Sequence, residues 1–249
     1  MDEQGQAMHK SKGNVVDPEP IIEKFGADAF RFWNASEATQ GADFRCSEAR
    51  IAGAHKFVTK LWNISRFISS FPQVRRARLQ PADRWILSEL RMLIERSIGG
   101  YKQFNFFIPG SAIRDFVWET FASHYMEMVK PRAYGQGFSV SQQRAAWYTL
   151  HTVLRNVLLL LAPVTPFLVD HIWRELYSQK SIHLQRFPIA TWPKAYGRYT
   201  EKVLAFNREV WRIKEESNLA LRDQLQMEVP KGLAPFRDDL TKMHSLVTK

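Results

Sequence analysis

The sequence predicts a mainly α-helical fold, with a small mixed α/β segment ahead of a helical bundle. Three observations carry this. Between Pro81 and Leu176, apolar residues recur at helical spacing in four successive stretches punctuated by proline. Strand-like character is confined to short pieces around Val15-Val16, Asp43–Cys46 and Leu225–Val229. Hydrophobic residues make up 45% of the 249, with 17 Phe and 8 Trp, enough to fill one large core or two modest ones.

Taken in order, residues 1–20 are polar and carry Gly5, Gly13, Pro18 and Pro20, the composition of a loop with one short strand at Val15-Val16. Pro20 opens a helix bearing Ile21, Ile22, Phe25 and, past Gly26, Ala29, Phe30 and Phe32. Ala38–Arg45 turns at Gly41 and leads into the extended piece Asp43–Cys46. Ser47 suits an N-cap, and Glu48 suits the positive end of the helix that follows. Ala54, Phe57, Val58, Leu61, Ile64, Ser65 and Ile68 form its apolar stripe, Lys56, Lys60 and Asn63 a second one, and Pro72 ends it.

The bundle comes next. Trp85, Ile86, Leu90, Leu93, Ile94 and Tyr101 define its first helix. Ile113, Phe116, Val117, Phe121, Tyr125, Met128 and Val129 define a second, entered at Pro109 and stopped near Pro131. A third runs through Ala146, Leu150, Val153, Leu154, Val157, Leu158 and Leu161, capped by Ser139 or Ser141. Pro163 breaks it, and Thr165-Pro166 starts a fourth with Phe167, Leu168, Ile172 and Leu176 on its face. Four such stripes bury one another as a bundle. Ser181–Pro193 reads as an extended strap, Glu201–Glu216 as a last helix and Leu225–Val229 as a strand, while residues beyond Pro230 carry no clear pattern apart from Asp238-Asp239, which read as a solvated face.

Charge narrows the partner. The net charge is +10 and the pI about 9.8. Between Arg45 and Arg78 stand eight Lys or Arg and one acid, Glu48, so +7 of that charge falls in 34 residues. A basic, aromatic-rich folded chain of this kind points to nucleic acid or a membrane surface. The single cysteine, Cys46, excludes an intrachain disulfide framework and a cysteine-rich zinc site, and fits a reducing cytosol. No signal peptide and no bilayer-length apolar run is read, so a soluble cytoplasmic protein without a membrane partner is expected. The seven histidines are scattered without metal-ligand spacing, so no metal site is expected, and His124 and His151 read as packing residues.

Several motifs carry a family resemblance. Ala7-Met8-His9-Lys10-Ser11-Lys12-Gly13-Asn14-Val15-Val16-Asp17-Pro18 resembles the Lys-Met-Ser-Lys-Ser loop of class I aminoacyl-tRNA synthetases and the Gly-Asn-Val/Ile-Asp-Pro that follows it. Asp2–Gly5 is similar to the turn before that loop, and Phe25-Gly26-Ala27-Asp28-Ala29-Phe30-Arg31 to the Tyr-Gly-Ala-Asp-Ala-Leu-Arg stretch after it. Gly41–Glu48, Lys60–Phe67, Asp83–Ser88, Tyr125–Glu127, Val129–Arg132, Leu161–Phe167 and His171-Ile172-Trp173 match the valyl branch more closely than the isoleucyl or leucyl ones, over roughly residues 2–230. There is no His-x-Gly-His motif and no alternating strand–helix run for a nucleotide-binding sheet. The chain thus looks like the C-terminal part of a valyl-type synthetase.

The resemblance implies the following organisation. Residues 1–20 are the signature loop of the catalytic domain, 21–79 a connective segment contacting the inside of the tRNA, 80–195 the anticodon-binding helical bundle and 196–249 a C-terminal extension. Magnesium-bound ATP would serve the whole enzyme and no cofactor this chain alone, which is expected to be inactive without the catalytic domain; valine tRNA is the implied partner. Lys10 matches the second signature lysine and is the catalytic candidate; Met8, His9, Lys10, Ser11, Gly13 and Asn14 form the ATP-binding set, with Ala7 and His9 standing where the family has Lys and Ser. Arg45, Arg50, Lys56, Lys60, Arg66, Arg75, Arg76, Lys130 and Arg132 are the tRNA-backbone candidates, suited to phosphate contacts that fix register without reading bases. Lys130 and Arg132 also suit an ordinary helix terminus. Trp118, Tyr134, Phe138 and Trp147 suit either base stacking or core packing. A free-standing tRNA-binding module descended from a synthetase, and the same portion of an isoleucyl enzyme, remain alternatives.

Overall fold

The computed structural model describes residues 1–247 and is built largely of helices. Residues 248 and 249 of the expected 196–249 extension lie outside the described residues. A single 3₁₀ turn, Lys10–Lys12, precedes α1 (Pro18–Phe25), α2 (Ala27–Glu37), α3 (Glu48–Ser69), α4 (Pro81–Lys102) and α5 (Phe107–Asp115). A π-helical stretch, Phe116–Met126, leads into α6 (Glu127–Ala133), followed by α7 (Val140–Leu161), α8 (Pro166–Leu176), α9 (Thr200–Glu216), β1 (Leu225–Gln226), α10 (Arg237–His244) and β2 (Leu246–Val247). β1 and β2 pair in parallel, Leu225 opposite Leu246 and Gln226 opposite Val247.

Local chemistry explains where this departs from the expected elements. The first helix starts at Pro18 rather than Pro20, because Asp17 caps it by accepting from the Glu19 N–H at 3.0 Å. Gly26 at φ 85° then splits the expected helix into α1 and α2. Val15-Val16 and Asp43–Cys46 form no strand and lie in no sheet. Pro131 does not stop its helix but sits inside α6. Ser139, not Ser141, enters α7, through a reciprocal cap in which Gln142 Oε1 accepts from Ser139 N at 2.9 Å and Ser139 Oγ from Gln142 N at 3.4 Å. The C-terminal stretch that lacked a pattern holds α10, and Asp239 on it is buried rather than solvated.

The chain separates into two compact units, each assembled from three segments. The first takes Met1–Ser69, Leu93–Val117 and Leu154–Ile189; the second takes Ser70–Met92, Trp118–Val153 and the residues from Ala190 onward. In the first unit α2 packs on α3 and α5. Phe32 and Phe57 stack at 4.3 Å among Ala29, Trp33, Ile51, Leu61, Ile64 and Ile68. Gly110 lets α5 approach closely, since a Cβ there would stand 3.0 Å from Ser36 Cα.

Asp28 and Arg31 tie α2 to the 163–168 turn. Asp28 accepts from the Leu168 N–H at 2.6 Å and the Phe167 N–H at 3.3 Å, while Arg31 donates to the Pro163 and Val164 carbonyls at 3.0 and 3.1 Å. Burial nonetheless holds the Asp28 carboxyl above its ordinary range.

The second unit is centred on Trp85, Phe121, Tyr125, Val203, Val210, Phe236 and Leu240. Trp85 Nε1 donates to Thr200 Oγ1 at 3.0 Å. Two buried polar clusters stand in it. In one, Asn207 donates to His124 Nδ1 at 3.0 Å and accepts from His244 Nε2 at 2.8 Å. Burial, then the Arg208 charge, pulls His124 down to about 4; burial, then Lys214 and His124, does the same to His244. Lys214 Nζ beside them donates to the carbonyls of Leu221, Asp223 and His244 at 2.6, 2.7 and 2.8 Å. The other cluster is built on Arg132.

Candidate phosphate loop and nucleic-acid interface

The loop at residues 2–14 is held by two side chains that carry no net positive charge. Asn14 Oδ1 accepts from the His9 N–H at 2.9 Å, and Asn14 Nδ2 donates to the Ala7 carbonyl at 3.1 Å and to Asp2 Oδ2 at 2.8 Å. Asp2 Oδ1 also accepts from the Gln6 N–H at 2.7 Å. Asn14 and Gln6 hold the Asp2 carboxyl below its ordinary range. Gly13 at φ 64° closes the Lys10–Lys12 turn through its N–H to the Lys10 carbonyl at 3.1 Å, a left-handed position that favours glycine. This clasp presents Lys10, Ser11 and Lys12 to solvent, with open space over Gly13.

The two departures from the family signature enter this clasp through the backbone, Ala7 by its carbonyl and His9 by its N–H. The loop geometry therefore tolerates both, and what changes is the cation count: Lys10 and Lys12 remain. Met8 is half-buried and lines a cavity of about 320 Å³ with Val16, Phe30, Trp33 and Phe44. The clasping role of Asp2 was not read from sequence, although an aspartate three residues before a glycine is a familiar turn-forming signal.

The structure brings part of the basic set to this loop. The Arg45 guanidinium lies over Gly5, its Nε 3.0 Å from where a Cβ would stand. Glu3 Oε1 accepts from the Glu48 N–H at 3.1 Å at the start of α3, and Lys24 pairs with Glu48. Along α3, Lys56 and Arg66 are exposed and Lys60 half-buried. Lys56, Lys60 and Asn63 fall within about 60° of one another on the helical wheel, clear of the buried stripe. Arg50 stands off this face and pairs with Glu37.

Arg75 and Arg76 are exposed on the loop that begins the second unit, where Lys130 pairs with Glu127 one turn away. Tyr134 is exposed and its ring meets Phe71 edge-on at 5.3 Å. Trp118 and Phe138 are half-buried, and Trp147 Nε1 is spent on the Ala133 carbonyl at 2.9 Å.

Arg132 requires a correction. Its side chain is 1% exposed, so it cannot meet a phosphate backbone from the surface. Nη1 and Nη2 form a bidentate pair with Asp83 at 2.8 Å each, and Nε donates to Asp239 at 3.0 Å. Tyr125 Oη adds a 2.7 Å bond to Asp83 Oδ1. One guanidinium here serves two carboxylates. Burial pushes Asp239 up to about 6, against the pull of Arg132.

Among the described residues, no three imidazole, thiol or carboxyl groups converge to hold a metal ion, and no helix is long and apolar enough to cross a membrane. Burial raises the Cys46 thiol above its ordinary range.

A family described as the anticodon-binding domain of tRNA ligase matches residues 83–229, and one described as class I tRNA synthetases (I, L, M and V) matches residues 1–47. The valine–tRNA ligase of Pyrobaculum aerophilum is 41% identical over 99% of this chain and 32% of its own length. That of Aeropyrum pernix is 39% identical over 98% and 31%, and that of Nanoarchaeum equitans 33% over 99% and 32%. The chain thus spans about a third of the curated relatives it matches. Among solved structures, the ternary complex of Agrobacterium radiobacter K84 agnB2 LeuRS-tRNA-LeuAMS is similar with a TM-score of 0.58 at 20% identity, covering 79% of this chain and 24% of that one, a likeness of fold.

Proposed function

Because this chain belongs to the anticodon-binding domain family of tRNA ligases, we propose that it is the tRNA-binding portion of a valine–tRNA ligase, acting in the cytoplasm on valine tRNA together with the catalytic domain of the same enzyme. The observation that carries the reading is the 41% identity to a valine–tRNA ligase along 99% of the chain, motif loop included. In this reading residues 1–20 belong to the active-site rim, 21–79 contact the inside of the tRNA, 80–195 serve the anticodon and 196–249 support them.

The loop's chemistry fits a nucleotide triphosphate. Lys10 and Lys12 are exposed, Gly13 leaves the backbone approachable, and no acid interrupts residues 7–14. Such a loop would hold the phosphates of magnesium-bound ATP, whose α-phosphorus is where an amino-acid carboxylate is activated. Lys10 and Lys12 would neutralise and orient phosphate oxygens, which is the greater part of what a protein contributes to phosphoryl chemistry. The Asn14–Asp2 clasp fixes where those ammonium groups start from. Arg45, Arg50, Lys56, Lys60 and Arg66, with Arg75 and Arg76, would track phosphates along the tRNA.

The chain alone is expected not to charge tRNA, since its sequence carries no His-x-Gly-His motif. Two measurements test the proposal. Binding of valine tRNA, set against other tRNAs across a salt series, is expected to favour valine tRNA and weaken steeply with salt; equal weak binding of all tRNAs overturns it. Valine-dependent ATP–pyrophosphate exchange by this polypeptide alone would refute the dependence on a separate catalytic domain. The replacement of the first signature lysine by Ala7 favours a second reading, a tRNA-binding module that no longer uses ATP. Intact valine tRNA binding with no effect of Lys10→Ala on the reconstituted enzyme would favour it.

A further inference from the structure

The second unit holds a cavity of about 540 Å³ that none of the expected site residues enters. Its walls are Leu79, Leu87, the ring of Trp192 and the ring of Tyr196, and its rim carries Arg78 and Arg84. Leu87 is fully buried, while Trp192 and Tyr196 are half-buried. The Arg84 guanidinium stands 6.0 Å from the Tyr196 ring centre and donates to the Leu79 carbonyl at 3.4 Å. Arg91 Nη1 donates to the Trp192 carbonyl at 2.8 Å and fixes the strand of chain that carries the indole. No carboxylate lines the cavity, and Arg75 and Arg76 stand exposed on the segment that enters it.

A largely apolar slot lined by two aromatic side chains, with arginines as its only charged residues, matches one ligand chemistry: a flat, weakly polar ring attached to a negative charge. We infer that this cavity receives one unstacked nucleotide of a single-stranded RNA segment, the base against Trp192 and Tyr196 and the flanking phosphates on Arg78 and Arg84. Aromatic faces accept any base, so the slot adds affinity without reading sequence. Its size is in the range of pockets that enclose a small ligand. The inference rests on the tRNA-binding reading and extends it to a second site, on residues that neither the signature loop nor the basic helix supplies.

The test uses the full chain, valine tRNA bearing 4-thiouridine for photocrosslinking, and a mixed-sequence single-stranded 12-mer RNA compared with its duplex. Crosslinks are expected on the peptide spanning residues 187–199. Trp192→Leu is expected to weaken the single strand about 5- to 100-fold, with the salt slope unchanged. Arg78→Gln is expected to lower the salt slope by about one instead. Ala195→Glu, which sets a carboxylate on the exposed rim, is expected to match the Trp192→Leu loss, and it decides the matter if Trp192→Leu does not fold. Equal losses for single strand and duplex in both variants, or unchanged affinity with crosslinks elsewhere, overturn the inference. A chain that binds the 12-mer in this way but shows no preference for valine tRNA would sustain the slot and defeat the proposed function; tRNA binding indifferent to Trp192→Leu and Ala195→Glu would do the reverse. Capture of an apolar peptide in preference to RNA would also overturn it.

Discussion

Replacing Arg132 by Met tests whether that residue is a core cation or an RNA contact. Its guanidinium and the two carboxylates it joins have side-chain exposures of 1%, 0% and 8%. Removing it strands Asp83 and Asp239 together in the core, along with the Tyr125 hydroxyl that bonds Asp83. Breaking one side of a buried pair costs about 3–5 kcal/mol, because the remaining charge has no partner and little water. For a chain of this length each kcal/mol lowers Tm by about 2–4 °C, so a fall of roughly 6–20 °C is expected in thermal denaturation at pH 7.5. Adding Asp239→Asn to the variant removes one stranded charge and should recover about 1–3 kcal/mol, as coupled neighbours do. At a temperature where both proteins stay folded, valine tRNA affinity is expected to be unchanged. A stability loss below about 1 kcal/mol together with weakened tRNA binding would refute the burial argument.

Four further outcomes are expected. Asp239, raised to about 6 from 3.8, binds its proton more tightly in the folded state, so its own contribution to stability is complete below about pH 4 and is lost as pH rises toward 6; Asp239→Asn should flatten that limb in urea titrations at stepped pH. His124 and His244, lowered to about 4, act in the opposite sense: their contribution is complete above about pH 6.5 and is lost as pH falls toward 4, which NMR titration of the ring Cε1–H signals would read directly. Asn14→Ala removes three hydrogen bonds from the loop; at about 1–2 kcal/mol of local order, tryptic cleavage after Lys10 and Lys12 should accelerate roughly 5- to 30-fold. Lys56→Gln should weaken all tRNAs alike and lower the salt slope by about one.

The helices were legible where one face is buried throughout. The apolar stripe of α3 and the capped start of α7 follow directly from residue spacing, and so does the basic face at Lys56 and Lys60. The π-helical stretch was readable in principle: Ile113, Val117, Phe121, Tyr125 and Val129 recur every four residues, a spacing that drifts about 40° per step in an α-helix, and a wider turn absorbs that drift. Arg132 could not be placed from sequence because its partners lie 49 and 107 residues away, and a cation near a helix end looks the same whether it faces water or a distant carboxylate. α10 is short, and the partner of the buried Asp239 on it is that same remote Arg132. In the loop, the lysines drew the eye, while the geometry depends on Asn14 and Asp2, whose hydrogen bonds close on each other and on backbone groups that any residue would offer.

The three-segment construction of each unit has a consequence for synthesis. α2 and α3 are made together, but the 163–168 turn that Asp28 and Arg31 of α2 hold follows roughly a hundred residues later. The first unit lacks its last segment until Ile189 has been made, about 120 residues after Ser69. At ordinary translation speeds that is a delay of roughly 6–24 s, far longer than a helix needs to form. Through that interval Phe32, Phe57 and their neighbours must wait beside the ribosome with part of their packing still unmade. The nascent chain is therefore most exposed to aggregation, and most in need of a chaperone, in the interval between the synthesis of Ser69 and that of Ile189.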